Sequence, residues 1–356
     1  MQKPIRVGLV GFGMAAKVMH FPFLTTNKNY HLVAVLERNR SEAEQLFPGI
    51  RTERSIESLV AGDDIDLVIV TTPNETHFPF AEKAILAGKD VVVEKPFTNT
   101  INEATILIEL AKRMNVVLSV YQNRRYVADF LTVREILDKK LLGEIVEFEA
   151  HYDRYRSGAK PNAWREENKL GSGVLYDLGS HLLDQALVLF GLPEAIRAEV
   201  KMQRPHAKAD DYFDVDLYYP NHKATLKASM LVREHGPRYT IHGTKGSFIK
   251  YGEDPQEVLL KTGTLPNSED WGREAEENFG LIHTEMNGQI VRQRYHSLQG
   301  SFGLYYDNLY ETIANGAPLK ERPEDGFNTI KLIELALISN KKKATVACTG
   351  LMTQNR

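Results

Sequence analysis

Residues able to do chemistry gather in a few short segments of this 356-residue chain. Asp177 and His181 stand four apart in Tyr176-Asp177-Leu178-Gly179-Ser180-His181, just after the glycine loop Gly171-Ser172-Gly173. On a helix that spacing puts both side chains on one face, with Leu178, Leu182 and Leu183 toward the packed side. A carboxylate can hold an imidazole in one orientation and stabilise its protonated form, so the two make a workable acid–base pair; a helix salt bridge is the other reading. Glu94-Lys95-Pro96 ends the apolar run Val91-Val92-Val93 and offers either ligand-binding charges or an exposed ion pair before a proline turn. Thr71-Thr72-Pro73-Asn74-Glu75-Thr76-His77 follows another apolar run. Its polar groups suit a ligand at a strand end, or a turn and helix cap, and His77 could equally lie on a helix surface.

Gly11-Phe12-Gly13-Met14-Ala15-Ala16 closes the run Val7 to Val10 and matches Gly-x-Gly-x-x-Ala at Gly11, Gly13 and Ala16. Gly11 permits a tight turn, Gly13 lets the backbone approach a pyrophosphate, and Ala16 lets a helix pack closely on the strand. The next strand ends at Glu37, where an acid would reach the ribose hydroxyls of NAD; Arg38 beside it could pair with the extra phosphate of NADP. The two residues point in opposite directions on cofactor preference.

Elements that would position these groups follow from periodicity. Val7 to Val10, Leu32 to Leu36, Leu67 to Thr71, Val91 to Val93 and Val117 to Val120 are short β-branched runs. They alternate with helical patterns at Ala43 to Phe47, Phe80 to Ala87 and Glu103 to Met114. Continuous apolar strands between helices suit a parallel sheet covered on both faces, a doubly wound Rossmann domain over residues 1–122. From residue 123 to 356 the rhythm changes to longer alternating strands: Glu144 to Arg156, Ile196 to Arg204, Phe213 to Tyr219, Ala224 to Val232 and Tyr239 to Tyr251. Pro220-Asn221-His222 punctuates two of them as a hairpin would. With helices at Phe130 to Leu137 and Tyr176 to Phe190, this half reads as an α+β domain with a large, mostly antiparallel open sheet. Such a sheet needs a cover, so a homodimer or homotetramer packed through it is expected. Lys261 to Arg292 reads as a long loop with short elements.

Composition narrows the class. Two domains suit this length, and 42% hydrophobic with 26% charged residues is the balance of a soluble globular protein. A net charge of -3 gives no field that would draw nucleic acid or anionic lipid, and no apolar run is long enough for a membrane span. The start Met1-Gln2-Lys3-Pro4 leads directly into a strand with no separate apolar segment to read as a signal peptide, so the cytoplasm is the expected location. Cys348, the single cysteine, excludes an internal disulfide and sits in a late-strand pattern, where a buried structural thiol is expected. Lys341-Lys342-Lys343 suits a solvated helix end. The histidines are scattered without paired ligand spacing, so no metal site is expected.

Taken together, the glycine fingerprint, Glu94-Lys95-Pro96 and the Asp177/His181 pair resemble the glucose-fructose oxidoreductase, inositol dehydrogenase and rhizopine catabolism (Gfo/Idh/MocA) family, over essentially the whole chain. Tyr121-Gln122-Asn123-Arg124-Arg125, Asp153-Arg154-Tyr155-Arg156, Trp164-Arg165-Glu166 and Ile241-His242-Gly243 are similar to its NADP-using scyllo-inositol 2-dehydrogenase branch. The resemblance implies an NAD(P)-dependent dehydrogenase acting on a cyclic polyol or sugar, with Lys95, Asp177 and His181 meeting over the nicotinamide. Glu94 would bind a nicotinamide-ribose hydroxyl, Asn123 would lie near the ring, and Trp164 with Arg165 would reach the cofactor. Gly11, Phe12, Gly13, Met14, Ala15, Glu37, Arg38, Thr72, Pro73, Asn74 and His77 complete the expected cofactor contacts. Oxidising a secondary alcohol needs a base for its proton and a fixed cation beside its oxygen, roles for His181 and Lys95. Arg124, Tyr152, Arg154 and Tyr155 offer donors and aromatic walls for a ring of hydroxyls, or are ordinary strand faces. A reductase of another sugar or keto compound, glycoside cleavage by transient oxidation, and a silent dinucleotide sensor are the competing readings.

Overall fold

The computed structural model describes residues 3–159 and 163–353, so Met1 and Gln2 of the start lie outside the described residues. The chain packs as two compact units. The first holds residues up to Asn123 together with Gln256–Trp271 and Phe302–Phe327; the second holds Arg124–Pro255, Gly272–Ser301 and the chain from Asn328 onward.

Strands β1 (Ile5–Val10), β2 (Tyr30–Leu36), β3 (Arg51–Glu53), β4 (Leu67–Val70), β5 (Asp90–Glu94) and β6 (Leu118–Tyr121) form one sheet in the order β3-β2-β1-β4-β5-β6. Every pairing in it is parallel. All four residues of β4 and of β6 are buried, as a sheet covered on both faces requires. The connections run through α1 (Phe21–Thr26), α2 (Glu42–Leu46), α3 (Ile56–Val60), α4 (His77–Leu86) and α5 (Ile101–Met114). Strand order turns back between β1 and β4, the switch point beside which doubly wound sheets bind ligands. The short β3 and α3 carry too few apolar residues to show a period, and the sequence pattern did not reveal them.

In the second unit, α6 (Ala128–Asp138), β7 (Ile145–His151), α7 (Ser180–Phe190), β8 (Ala195–Lys201), β9 (Tyr212–Tyr218), β10 (Lys223–Ser229), β11 (Tyr239–Gly243) and β12 (Gly246–Lys250) follow one another. Helix α8 (Gln256–Lys261) belongs to the first unit; β13 (Gly280–Met286) and β14 (Gln289–Tyr295) return to the second. After α9 (Gly303–Asn315) and α10 (Pro323–Lys342), β15 (Val346–Ala347) completes a nine-stranded sheet in the order β14-β13-β12-β11-β7-β10-β9-β8-β15. Only β7 with β10 is parallel. Alternation is clean in β9, where Phe213, Val215 and Leu217 are buried and Tyr212, Asp214, Asp216 and Tyr218 are half-buried on the other face. Pro220-Asn221-His222 does join an antiparallel pair, β9 with β10. Lys341 and Lys342 close α10 as expected.

Four expectations need correction. Tyr239 to Tyr251 is two strands, because Gly243 and Gly246 flank a tight Thr244-Lys245 turn; a Cβ on Gly243 would lie 2.2 Å from the Leu142 carbonyl oxygen. The stretch Lys261 to Arg292 is not all loop. Asn287 and Gly288 both take positive φ (53° and 77°), the backbone of a two-residue hairpin turn, and join β13 to β14. Tyr176 to Phe190 is not one regular α-helix, since Leu175–Gly179 is a π turn that runs into α7. Finally, Cys348 lies just past β15 and is only partly buried, although burial still pushes its thiol up to about 12.

Candidate active site

The loop after β1 is built for a dinucleotide. Gly11 has φ 89°, a conformation that L side chains rarely adopt, and a Cβ there would stand 3.0 Å from Thr72 Cγ2. Around Gly13 no atom beyond its immediate chain neighbours lies within 4 Å of where a Cβ would be, which leaves room for an approaching pyrophosphate. Ala16 is fully buried and begins a π turn, Ala16–His20, where a regular helix was expected. Phe12 is buried edge-on against Phe21 (5.7 Å), Ala15 is half-buried, and Met14 is exposed. Such a loop at the switch point fits NAD or NADP; the group would bring the capacity to take up a hydride.

At the end of β2, Glu37 is buried and one carboxylate oxygen accepts the Ala43 N–H at 2.9 Å, capping α2. Arg38 and Arg40 are exposed. Arg54, a residue the sequence pattern did not single out, donates to the carbonyls of Glu37 (2.7 Å) and Arg40 and to the Ser41 hydroxyl (2.8 Å). Asn39, Arg40, Ser41, Glu42, Gln45 and Arg54 line a shallow surface hollow of about 420 Å³.

At the end of β4, Thr72 is half-buried, Pro73 is exposed and Asn74 is buried. His77 is turned inward: its ring nitrogens lie 2.9 Å from the carbonyls of Pro96 and Thr72. Burial, the largest influence, holds its pKa below the ordinary value, and the neutral ring donates to one of these two carbonyls. The Lys95-Pro96 turn has a cis peptide bond. Lys95 is half-buried at the end of β5, beside the buried Glu94. Glu94 accepts the Lys95 N–H on one oxygen (3.0 Å) and faces His20 Nε2 with the other (3.0 Å). Burial opposes ionisation of this carboxyl, yet the bond from His20 and the nearby Lys95 charge outweigh it and keep its pKa below the usual range. Asn123, after β6, is buried with its amide 3.8 Å from Met19 Sδ.

The second unit holds Asp177 in the π turn and His181 in the first turn of α7. Asp177 accepts from Arg165 Nε at 3.1 Å, and the Arg165 guanidinium lies 4.4 Å from the Trp164 ring centre. Three expected residues, Trp164, Arg165 and Asp177, are thereby brought together. Arg204 fixes the short turn Trp164–Glu166, bonding Glu166 (2.6 Å) as well as Asp211 (2.8 Å). His181 is buried with the Tyr152 ring edge-on at 6.2 Å, and the Arg238 guanidinium covers Tyr152 at 3.5 Å. Arg124 is half-buried, its carbonyl accepting from Gln185 (2.9 Å). Arg154 is also half-buried, whereas Tyr155 is exposed and stacks on Arg233 at 3.9 Å. His20, Arg54, Arg204 and Arg238 escaped the sequence reading because partners remote in the chain define their roles.

Residues 5–122 match the model described as "Oxidoreductase family, NAD-binding Rossmann fold", and residues 134–348 match "Oxidoreductase family, C-terminal alpha/beta domain". The chain belongs to the Gfo/Idh/MocA oxidoreductase family. This member is 39% identical to the scyllo-inositol 2-dehydrogenase (NADP(+)) IolW of Bacillus subtilis (strain 168), over 96% of this chain and 95% of that one. It is 37% identical to the uncharacterized oxidoreductase YdgJ of Escherichia coli (strain K12), over 97% and 99% of the two chains. The solved structure of yvaA from Bacillus subtilis superposes with a TM-score of 0.94 at 38% identity, covering 98% and 99%. The oxidoreductase is thus an NAD(P)-dependent dehydrogenase of the class acting on CH–OH groups. No helix among the described residues is long and apolar enough to cross a membrane.

Proposed function

We propose that this oxidoreductase reversibly oxidises one secondary hydroxyl of a cyclic polyol, scyllo-inositol, to the ketone with NADP as the hydride acceptor. The observation that carries the reading is His181, a buried imidazole at an aromatic wall and four residues from Asp177, in a chain 39% identical to an NADP-dependent scyllo-inositol 2-dehydrogenase. His181 takes the hydroxyl proton, Asp177 orients the imidazole, and the Lys95 ammonium stabilises charge developing on the oxygen. Tyr152 supplies an apolar ring face, and Arg124 and Arg154 supply donors to the remaining hydroxyls. Glu94 accepts from the nicotinamide ribose, Asn123 lies at the ring, and Trp164 with Arg165 completes that end of the cofactor.

NADP rather than NAD is favoured by the loop after β2. Three guanidinium groups, Arg38, Arg40 and Arg54, stand in or beside it, and Glu37 has an oxygen committed to capping α2 instead of reaching for ribose hydroxyls. A second copy of the chain covers the half-buried face of the nine-stranded sheet, and the enzyme works in the cytoplasm as a homodimer or homotetramer. The test is a panel of inositols and hexoses run with each cofactor. Net reduction of NADP with scyllo-inositol, well above that with NAD or hexoses, is expected; no reduction with any inositol overturns the substrate assignment.

A further inference from the structure

In the first unit, a carboxylate, an imidazole and a phenol form a buried chain whose imidazole and phenol the mechanism above does not use. His20 Nε2 lies 3.0 Å from Glu94 Oε1, and His20 Nδ1 lies 2.7 Å from Tyr306 Oη. His20 and Tyr306 are fully buried and Glu94 is 7% exposed. The Tyr121 ring packs on the imidazole at 4.3 Å, and its hydroxyl donates to the Met19 carbonyl at 2.8 Å. Asn123 reaches the neighbouring Met19 side chain as well. These contacts converge on the π turn Ala16–His20, which directly follows the pyrophosphate loop. Single π turns inside helices concentrate at functional sites, since the extra residue redirects one side chain. Here the redirected side chain is a histidine that faces the carboxylate at the end of β5.

Chemistry sets the direction of the chain. Burial raises the Tyr306 pKa well above its ordinary value, so the phenol keeps its proton and is able to donate it to Nδ1, 2.7 Å away. Nε2, on the far side of the ring, then donates to Glu94 Oε1, while Glu94 also accepts the Lys95 amide. A carboxylate gripped on both oxygens is held ionised and aimed, with lone pairs left for hydroxyl donors.

We infer that His20 is a positioning residue for cofactor binding: it orients Glu94 toward the nicotinamide ribose, and Tyr306 sets the imidazole tautomer that makes this possible. The inference rests on reading Glu94 as the ribose-binding carboxylate and is independent of the polyol. It therefore ties the turn after the pyrophosphate loop to the far end of the same dinucleotide.

The experiment is fluorescence titration of the purified full-length protein with NADPH, without substrate. His20→Leu should weaken binding about tenfold, and Tyr306→Phe, which removes one hydroxyl, about threefold. His20→Gln, which keeps an N–H donor near the Nε2 position, should recover most of the loss. In a Glu94→Ala background, His20→Leu should cost less than twofold further. A loss undiminished in that background, or no loss in His20→Leu and Tyr306→Phe, overturns the inference. If His20→Leu fails to fold, Tyr306→Phe and His20→Gln with and without Glu94→Ala decide it by the same comparison. Unchanged NADPH binding in Glu94→Ala alone overturns the underlying role of Glu94, while inositol oxidation is scored separately.

Discussion

Glu94 and Lys95 are chain neighbours in different settings: the carboxylate is clamped by His20 and a main-chain amide, and the ammonium beside it is half-buried. Positioned acid–base groups are worth about 10² to 10⁴ in rate. Lys95→Ala and His181→Ala should therefore each cut kcat for inositol oxidation by about 100-fold or more, with NADPH affinity changed far less. Steady-state kinetics beside the fluorescence titration checks this, and normal turnover in either variant rejects the assigned roles. The places of Lys95, Asp177 and His181, at a strand end and on successive helical turns, were legible in the sequence because local patterns display them. His20 was not, since its meaning comes from Glu94 and Tyr306, 74 and 286 residues away.

Among the elements, α5 shows how local sequence sets a boundary. Thr100 accepts the Glu103 N–H at 3.2 Å and Glu103 returns to the Thr100 N–H at 3.1 Å, a reciprocal cap at the helix start. Asn115, at φ 53°, closes the other end. Thr100→Ala should lower unfolding free energy by about 1 kcal/mol, read by urea denaturation, with kcat unchanged. The same local rules explain two misread elements: Gly243 and Gly246 break what looked like one strand, and Asn287-Gly288 makes a hairpin of what looked like loop. The π turns at Ala16–His20 and Leu175–Gly179 had no such signal, because an apolar helical pattern tolerates an extra residue per turn without changing composition.

For the whole molecule, pH couples stability to the setting of α7. Asp210 accepts the Leu175 N–H at 2.8 Å at the start of the π turn, and burial pushes its carboxyl up to about 6. Between its ordinary value of 3.8 and about 6 the folded protein keeps a proton that the unfolded chain has released. The contribution of Asp210 is thus fully present below pH 3.8 and is lost as pH rises through about 6. Asp210→Asn should remove this dependence, worth at most about 3 kcal/mol, when denaturant unfolding of the two proteins is compared across that range. An identical pH profile in the variant rules it out. The sheet face with Tyr212, Asp214, Asp216 and Tyr218 carries the ion pairs Lys227–Asp214 (3.3 Å) and Lys223–Asp216 (3.2 Å). Sedimentation velocity should find a dimer or tetramer at micromolar concentration, and a monomer there would reject the proposed assembly.

By itself the sequence determined the parallel β/α rhythm, the glycine turn after β1, the strand-end Glu94-Lys95 and the placement of Asp177 and His181 one turn apart. Each of these is written in residues close enough in the chain to restrict one another's backbone. Only the tertiary structure decided which side chains those groups lean on: His20 and Tyr306 behind Glu94, Arg165 against Asp177, Arg238 over Tyr152, and the Ala43 amide on Glu37. Burial and hydrogen bonding between distant segments set a side chain's charge and aim, and neither has a local period to read.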